Sequence, residues 1–168
     1  MGMWFILKES VKEALPKAAG VAKGFCFLHV TGRYLCNIDY LTGPSMLPTF
    51  NLNRDNIALA ETISTRLGKL RSGDIVSVRS PEVPTKIVIK RIKAVAGDVV
   101  SYAPDPKLPH HNNTLVVPKG HVWVEGDNPH DSRDSRQFGA VPYALICSRL
   151  FLVLWPPSDC RLLSNKIV

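Results

Sequence analysis

Several things are scarce in this chain of 168 residues, and each scarcity excludes something. There are four cysteines, Cys26, Cys36, Cys147 and Cys160, so widely spaced that no C-x-x-C pair exists. Zinc-ligand spacing is therefore missing and no disulfide framework is predicted; buried or membrane-facing thiols are the expectation. His110, His111, His121 and His130 could suggest a metal site with Glu125 or Asp131, but loop histidines near prolines are the better reading. No metal and no cofactor is expected. The net charge is +7, and a basic surface attracts nucleic acid or anionic lipid. No basic cluster is interleaved with aromatics, so nucleic acid is not an expected partner. Long apolar runs are lacking too. Residues 18–41 are mildly apolar but hold Lys23, His29 and Arg33, whereas a spanning helix needs about 20 mostly apolar residues. Tyr143 to Trp155 is apolar but covers only 13 residues, which suits a buried strand. No cleavable secretory signal is recognisable. The segment with Glu9 and Glu13 is poor in hydroxyls and makes an unconvincing matrix presequence. Internal repeats and low-complexity tracts are not seen.

What is present is proline and short β-like runs. Thirteen prolines and frequent Gly-Asp turns punctuate the chain, and 45% of it is apolar, an ordinary globular share. Strands are predicted over 55–61, 73–79, 86–96, 98–103, 114–117, 120–125 and 144–154, with an exposed loop over 103–113. The fold class expected is mainly β, with one domain and an appendage. Residues 5–20 show an amphipathic helical tendency that Pro16 would bend or end. The division expected is an N-terminal helical segment over 1–40, a catalytic domain over 41–160 and a tail over 161–168.

The chemistry concentrates in three segments. The first is Gly43-Pro44-Ser45-Met46-Leu47-Pro48-Thr49. Its two prolines restrict themselves and the residues before them, and Gly43 opens backbone angles closed to other residues. A stiff, non-helical turn presenting Ser45 follows; an ordinary Pro-rich loop is the plainer alternative. The second is the β-branched run 86–95, with Lys90 at its centre. Strand alternation puts Lys90 on a face with Val88, Ile92 and Ala94, and puts Arg91 and Lys93 on the other with Ile87 and Ile89. An ammonium among such neighbours is desolvated and its pKa falls. Lowering it from about 10.4 to about 8 corresponds to roughly 3 kcal/mol, and a lysine held so can take a proton from a serine hydroxyl near neutral pH. The third segment, Gly126 to Gly139, is dense in turn formers and short polar side chains; Asp134 and Arg136 can pair within it.

Together the segments resemble the type I signal peptidase family, most closely its mitochondrial branch, the inner membrane protease, of the catalytic subunit 1 type. The nucleophile motif is Ser45-Met46-Leu47-Pro48-Thr49. The base motif is Lys90-Arg91 followed by Gly97-Asp98. The third motif is Gly126-Asp127-Asn128, Ser132-Arg133-Asp134-Ser135-Arg136 and Gly139, and Gly73-Asp74-Ile75-Val76 also matches. The resemblance covers roughly residues 40–157.

The resemblance implies a signal-peptidase-like β-rich domain carrying an N-terminal helical membrane anchor. It implies Ser45 as nucleophile, Lys90 as general base, Ser132 as the hydroxyl that orients the lysine amine, and Asp134 with Arg136 as a structural ion pair beneath the site. The Ser45 backbone N–H would be one oxyanion donor. Gly43 stands where some members supply a serine hydroxyl as another. The activity implied is that of a serine endopeptidase removing sorting peptides from proteins delivered to the mitochondrial intermembrane space, through an acyl-enzyme. The implied partners are precursor proteins with cleavable sorting signals, membrane lipid and a second protease subunit in a heterodimer. The implied place is the inner membrane facing the intermembrane space, with a chloroplast or bacterial membrane as the alternative. Two rivals are a self-cleaving LexA-like Ser–Lys peptidase and an inactive subunit that only binds presequences.

Overall fold

The computed structural model describes residues 2–51, 56–103 and 113–163. The chain divides into two units, Met1–Cys36 and Asn37–Val168. The first is one helix, α1 (Gly2–Tyr34). It runs through Pro16 without a break. A proline inside a helix costs about 3 kcal/mol, and the alanines, leucine and lysines on either side are strong helix formers that offset it. Leu15, Val21, Phe25, Phe27 and Leu28 stand exposed along it. Among the described residues no helix is long and apolar enough to cross a membrane. Lys12, Glu13, Lys17 and Lys23 recur too often for that, since each charge at a bilayer centre is penalised by about 3 kcal/mol on insertion scales. The expected N-terminal helix is found, and its charges leave lying on a membrane rather than spanning it as the way such a helix could anchor.

The second unit is mainly β. Its strands are β1 (Cys36–Leu41), β2 (Asn56–Glu61), β3 (Ile75–Arg79), β4 (Ile87–Val95), β5 (Val99–Tyr102), β6 (Asn113–Val116), β7 (His121–Glu125), β8 (Val141–Pro142), β9 (Ile146–Trp155) and β10 (Arg161–Leu162), with two one-turn helices, α2 (Ile63–Arg66) and α3 (Ser135–Phe138). One sheet has the order β1-β2-β9-β3-β4-β7-β8, with β10 added to β9. The strands β5 and β6 form a separate antiparallel pair. Tyr102 of that pair packs its ring 4.6 Å from Trp123 of β7.

Alternation builds two cores on the two faces of the main sheet. Ile75 of β3 joins Leu41, Met46, Phe50 and Leu150 in one. Its neighbours Val76 and Val78 join Ile92, Val124 and Ile146 in the other. The seven expected strands all appear, within two residues of the expected ends. Residues 36–40, expected within the helical segment, form with Leu41 an edge strand instead. Asn37, Asp39 and Leu41 alternate there with exposed Ile38 and Tyr40, a period of two that a helix cannot satisfy. Arg161 and Leu162, expected in the tail, pair with Val153 and Leu152. The expected loop over 103–113 lies, but for its two ends, outside the described residues. None of the four cysteines forms a disulfide.

The register of β4 departs from simple alternation. Its pairing with β7 shifts between Ile92 and Ala94. Such a bulge reverses the faces beyond it. Lys90 therefore shares its face with Val88 and Ile92, which belong with the second core. Ala94, expected beside them, packs with Val117 and Trp123 in a third cluster.

Candidate active site

The serine turn is shaped from below and from the side. Gly43 has φ +99°, a left-handed angle that favours glycine. Pro44 then begins a 3₁₀ turn over Pro44–Met46, where its fixed φ fits and its missing N–H is no loss. Met46, 3% exposed, and Phe50 sink into the first core and hold the turn down. The third segment clips it from the side. The Asn128 backbone N–H donates to Ser45 O at 3.1 Å, and the Asn128 side-chain amide donates to Pro44 O at 3.2 Å. At Gly126 the approach is so close that a Cβ would strike Ser45 O and Ser132 Oγ. Only glycine leaves room for the serine turn and Ser132 to meet there.

Lys90 lies mid-strand in β4, opposite Val76 of β3, and is 3% exposed. Its Nζ donates to Ser132 Oγ at 3.0 Å. Ser132 Oγ donates in turn to Asp134 Oδ2 at 2.6 Å. Asp134 is fully buried and is gripped by Arg136 through Nε at 2.9 Å and a second guanidinium nitrogen at 2.6 Å. It also accepts from the Gly126 N–H at 2.9 Å and caps α3 through the Arg136 N–H. Burial alone would raise the Asp134 carboxyl; the bonds from Arg136, Gly126 and Ser132 more than reverse this and hold it below the usual range. Burial pushes the Lys90 ammonium down from its ordinary value to about 8, with Asp134 opposing and Arg136 and Lys86 assisting.

On the opposite face of β4, Arg91 is 2% exposed. It makes a two-pronged ion pair with Asp127, at 2.8 and 2.7 Å. It also donates to Gly73 O at 2.9 Å and to Thr49 Oγ1 at 3.3 Å, and Thr49 itself donates to Asp127 at 2.5 Å. Burial would raise the Asp127 carboxyl as well, yet the bonds from Arg91 and Thr49 hold it low. The cluster ties the base strand, the serine turn and the third segment into one frame.

Ser45 and Lys90 line one cavity of about 660 Å³, bounded by β1, the turn over 42–46, Lys86 and residues 87–90 of β4. Within this cavity Lys90 is hydrogen-bonded to Ser132 and not to Ser45. The Ser45 N–H is in the first turn of the 3₁₀ segment, where an N–H has no intrahelical acceptor. His121, expected in a loop, opens β7 and sits against Lys119 O, and His130 is exposed; His110 and His111 lie outside the described residues. The sequence places Arg91 only by its face; the doubled Lys-Arg inside an apolar strand, with Asp127 ahead of Asn128, was the signal for the ion pair that the structure shows.

The model of the family described as signal peptidase, peptidase S26, matches residues 17–108 and 103–155. A protein from Arabidopsis thaliana, mitochondrial ATP-independent inner membrane protease subunit 1b, is 51% identical over 148 residues, covering 88% of this chain and 87% of that protein. The Homo sapiens mitochondrial inner membrane protease subunit 1 is 38% identical over 135 residues, covering 80% and 78%. Among solved structures, a signal peptidase I from Enterococcus faecalis is 26% identical with a TM-score of 0.42, covering 49% of this chain and 97% of that one. With the family match running over most of its length and relatives at this identity, the chain belongs to the signal peptidase family, peptidase S26.

Proposed function

We propose that this protein is a membrane-associated serine endopeptidase that removes sorting peptides from proteins delivered to the mitochondrial intermembrane space, with Ser45 as nucleophile and Lys90 as general base. The observation that carries the reading is Lys90 itself: a lysine buried among valine and isoleucine, bonded only to a hydroxyl, in the wall of the cavity that also holds Ser45. A lysine so placed is substantially neutral near pH 8 and can act as a base. Ser45 Oγ attacks the scissile carbonyl as its proton passes to Lys90 Nζ. The Ser45 N–H stabilises the oxyanion. Collapse forms the acyl-enzyme as the Lys90 ammonium returns the proton to the leaving amine, and water activated by the same amine releases the product. Ser132 holds Nζ in place, and the Asp134–Arg136 pair holds Ser132.

The substrate enters as a strand. Ile87 to Arg91 pair with β3 on one side, whereas pairing with β7 begins only at Arg91. The other edge of residues 87–90 therefore faces the cavity, where an extended peptide can add its own hydrogen bonds. The names of the relatives, which are subunits of a mitochondrial inner membrane protease, support placement at that membrane and pairing with a second subunit. The basic charge and the exposed apolar side chains of α1 support contact with lipid at the interface.

The test is cleavage of an intermembrane-space precursor by lipid-reconstituted protein, with and without a second subunit, beside Ser45→Ala and Lys90→Ala. One cut by wild type and none by either folded variant is expected. Substantial activity in Lys90→Ala would show a different base. An inert wild type, even with its partner, would favour a subunit that binds presequences without cutting them.

A further inference from the structure

Asp39 plays no part in the chemistry above, yet it lies in the same cavity wall as Ser45 and Lys90. It is half-buried on β1, on the face that carries Leu41 into the first core. Its Oδ2 accepts from Ser148 Oγ of β9 at 3.3 Å, and Ser148 is bonded in turn to Ser77 of β3 at 2.6 Å. The other carboxylates with largely buried side chains hold arginines. Asp127 is paired with Arg91, and Asp134 with Arg136. Glu61 and Asp74 share Arg149. Among the described residues no cation pairs with Asp39; hydroxyls alone support it. Burial raises its carboxyl, and the serine bonds recover only part of that. A carboxylate left half-desolvated and under-satisfied in a cavity wall shared with Leu41 and Ile89 is disfavoured unless something else donates to it. The open side is the cavity.

We propose that Asp39 is a specificity-determining residue: its carboxylate accepts a hydrogen bond from a donor-bearing substrate side chain (an amide, hydroxyl or ammonium) within three residues of the scissile bond. This rests on the peptidase reading of the same site. A pocket that hydrogen-bonds its ligand rejects the analogue lacking the donor far more strongly than an apolar pocket discriminates by shape. The bond to Ser148 holds the carboxylate at the angle from which it faces the peptide.

The experiment uses the full chain in lipid and peptides in which each of three positions on either side of the cut is varied between near-isosteres, Asn against Leu and Thr against Val, with Lys added. The readout is the ratio of kcat/KM between the two members of a pair for one enzyme preparation, so a loss common to both cancels. Wild type should favour the donor by about tenfold at one position. Asp39→Leu should bring that ratio to one or reverse it, leaving ratios elsewhere unchanged. Asp39→Asn, which keeps size and the tie to Ser148, should give an intermediate ratio and guards against a variant that fails to fold. A wild type that cleaves through Ser45 with no donor preference anywhere overturns the proposal and leaves the peptidase intact. A ratio unmoved in both variants, with only melting temperature lowered, assigns Asp39 to tying β1 to β9 and also overturns it. Failure of wild type to cut any peptide, together with failure of an acylating probe to label Ser45, removes the peptidase reading and this proposal with it.

Discussion

Lys90 and Arg91 are consecutive residues of β4, point to opposite faces and are almost equally buried, at 3% and 2% exposed, yet their surroundings differ. Arg91 meets a carboxylate squarely, with a backbone carbonyl and a hydroxyl taking further donors. Lys90 meets one hydroxyl, and the carboxylate behind that hydroxyl already belongs to Arg136. A buried guanidinium keeps its charge and is matched to it. A buried ammonium left without its own counter-ion gives its proton up more easily. The same strand thus carries a structural cation on one side and, on the other, the lysine proposed as the base, and the difference lies in who owns the nearby carboxylate. The buried Lys90 ammonium lowers stability. Burial pushes the Lys90 ammonium down to about 8 in the fold, against an ordinary value of 10.5, so between these values the unfolded chain binds more protons. Stability therefore rises with pH across that window, and below about pH 8 the folded state bears a penalty of about 3 kcal/mol from this one side chain.

The sharpest way to break the comparison is to make both faces apolar, one at a time. Lys90→Met should lower kcat/KM by about 10³-fold while raising the melting temperature at pH 7, with the gain fading as pH approaches 10. A fall in melting temperature at pH 7 would mean that Lys90 is not held against its charge. Arg91→Met should do the opposite to stability. It leaves Asp127 buried and unpaired, which should remove about 3–5 kcal/mol in urea unfolding. A variant as stable as wild type would show that the Arg91 cluster is not the frame of the site.

Gly126→Ala probes the meeting point of the two faces. A methyl group there strikes Ser45 O and Ser132 Oγ, so the serine turn and the hydroxyl that steers Lys90 must separate. A displacement of about 1 Å at reacting groups can lower rate about 10²-fold, and that loss in kcat is expected with little change in KM. Unchanged kcat would show that the turn yields without moving the serine.

Much of this arrangement was legible beforehand, for reasons tied to particular residues. The β-branched stretches around Ile75, Ile89, Val122 and Leu150 mark their strands because alternation and proline breaks are local properties. Pro44, Pro48 and Gly43 mark the serine turn in the same way. The edge strand over 36–41 was hidden because its alternation begins only where the helix stops, so the apolar count over 18–41 runs across both. The bulge after Ile92 was hidden because it is set by the register against β7, and that moved Ala94 to the other face. Asp39 was hidden because a lone aspartate acquires meaning only from what β9 and β4 bring near it.

The smallest expected effect is the most direct reading of the Lys90 face. If the neutral amine is the base, kcat/KM should rise with pH and reach half its plateau near the value of about 8 that burial imposes. Between pH 7 and pH 9 the neutral fraction then grows by about tenfold, and the rate should grow with it. Arg136 assists that depression and Asp134 opposes it, so the two faces can be set against each other in one profile. Asp134→Asn removes the opposing charge and should move the midpoint to lower pH. Asp127 on the Arg91 face opposes it more weakly still, so Asp127→Asn should move it less. Equal shifts from the two substitutions would mean that β4 does not insulate its faces, and a flat profile from pH 7 to pH 9 would mean that Lys90 is not the group that takes the proton.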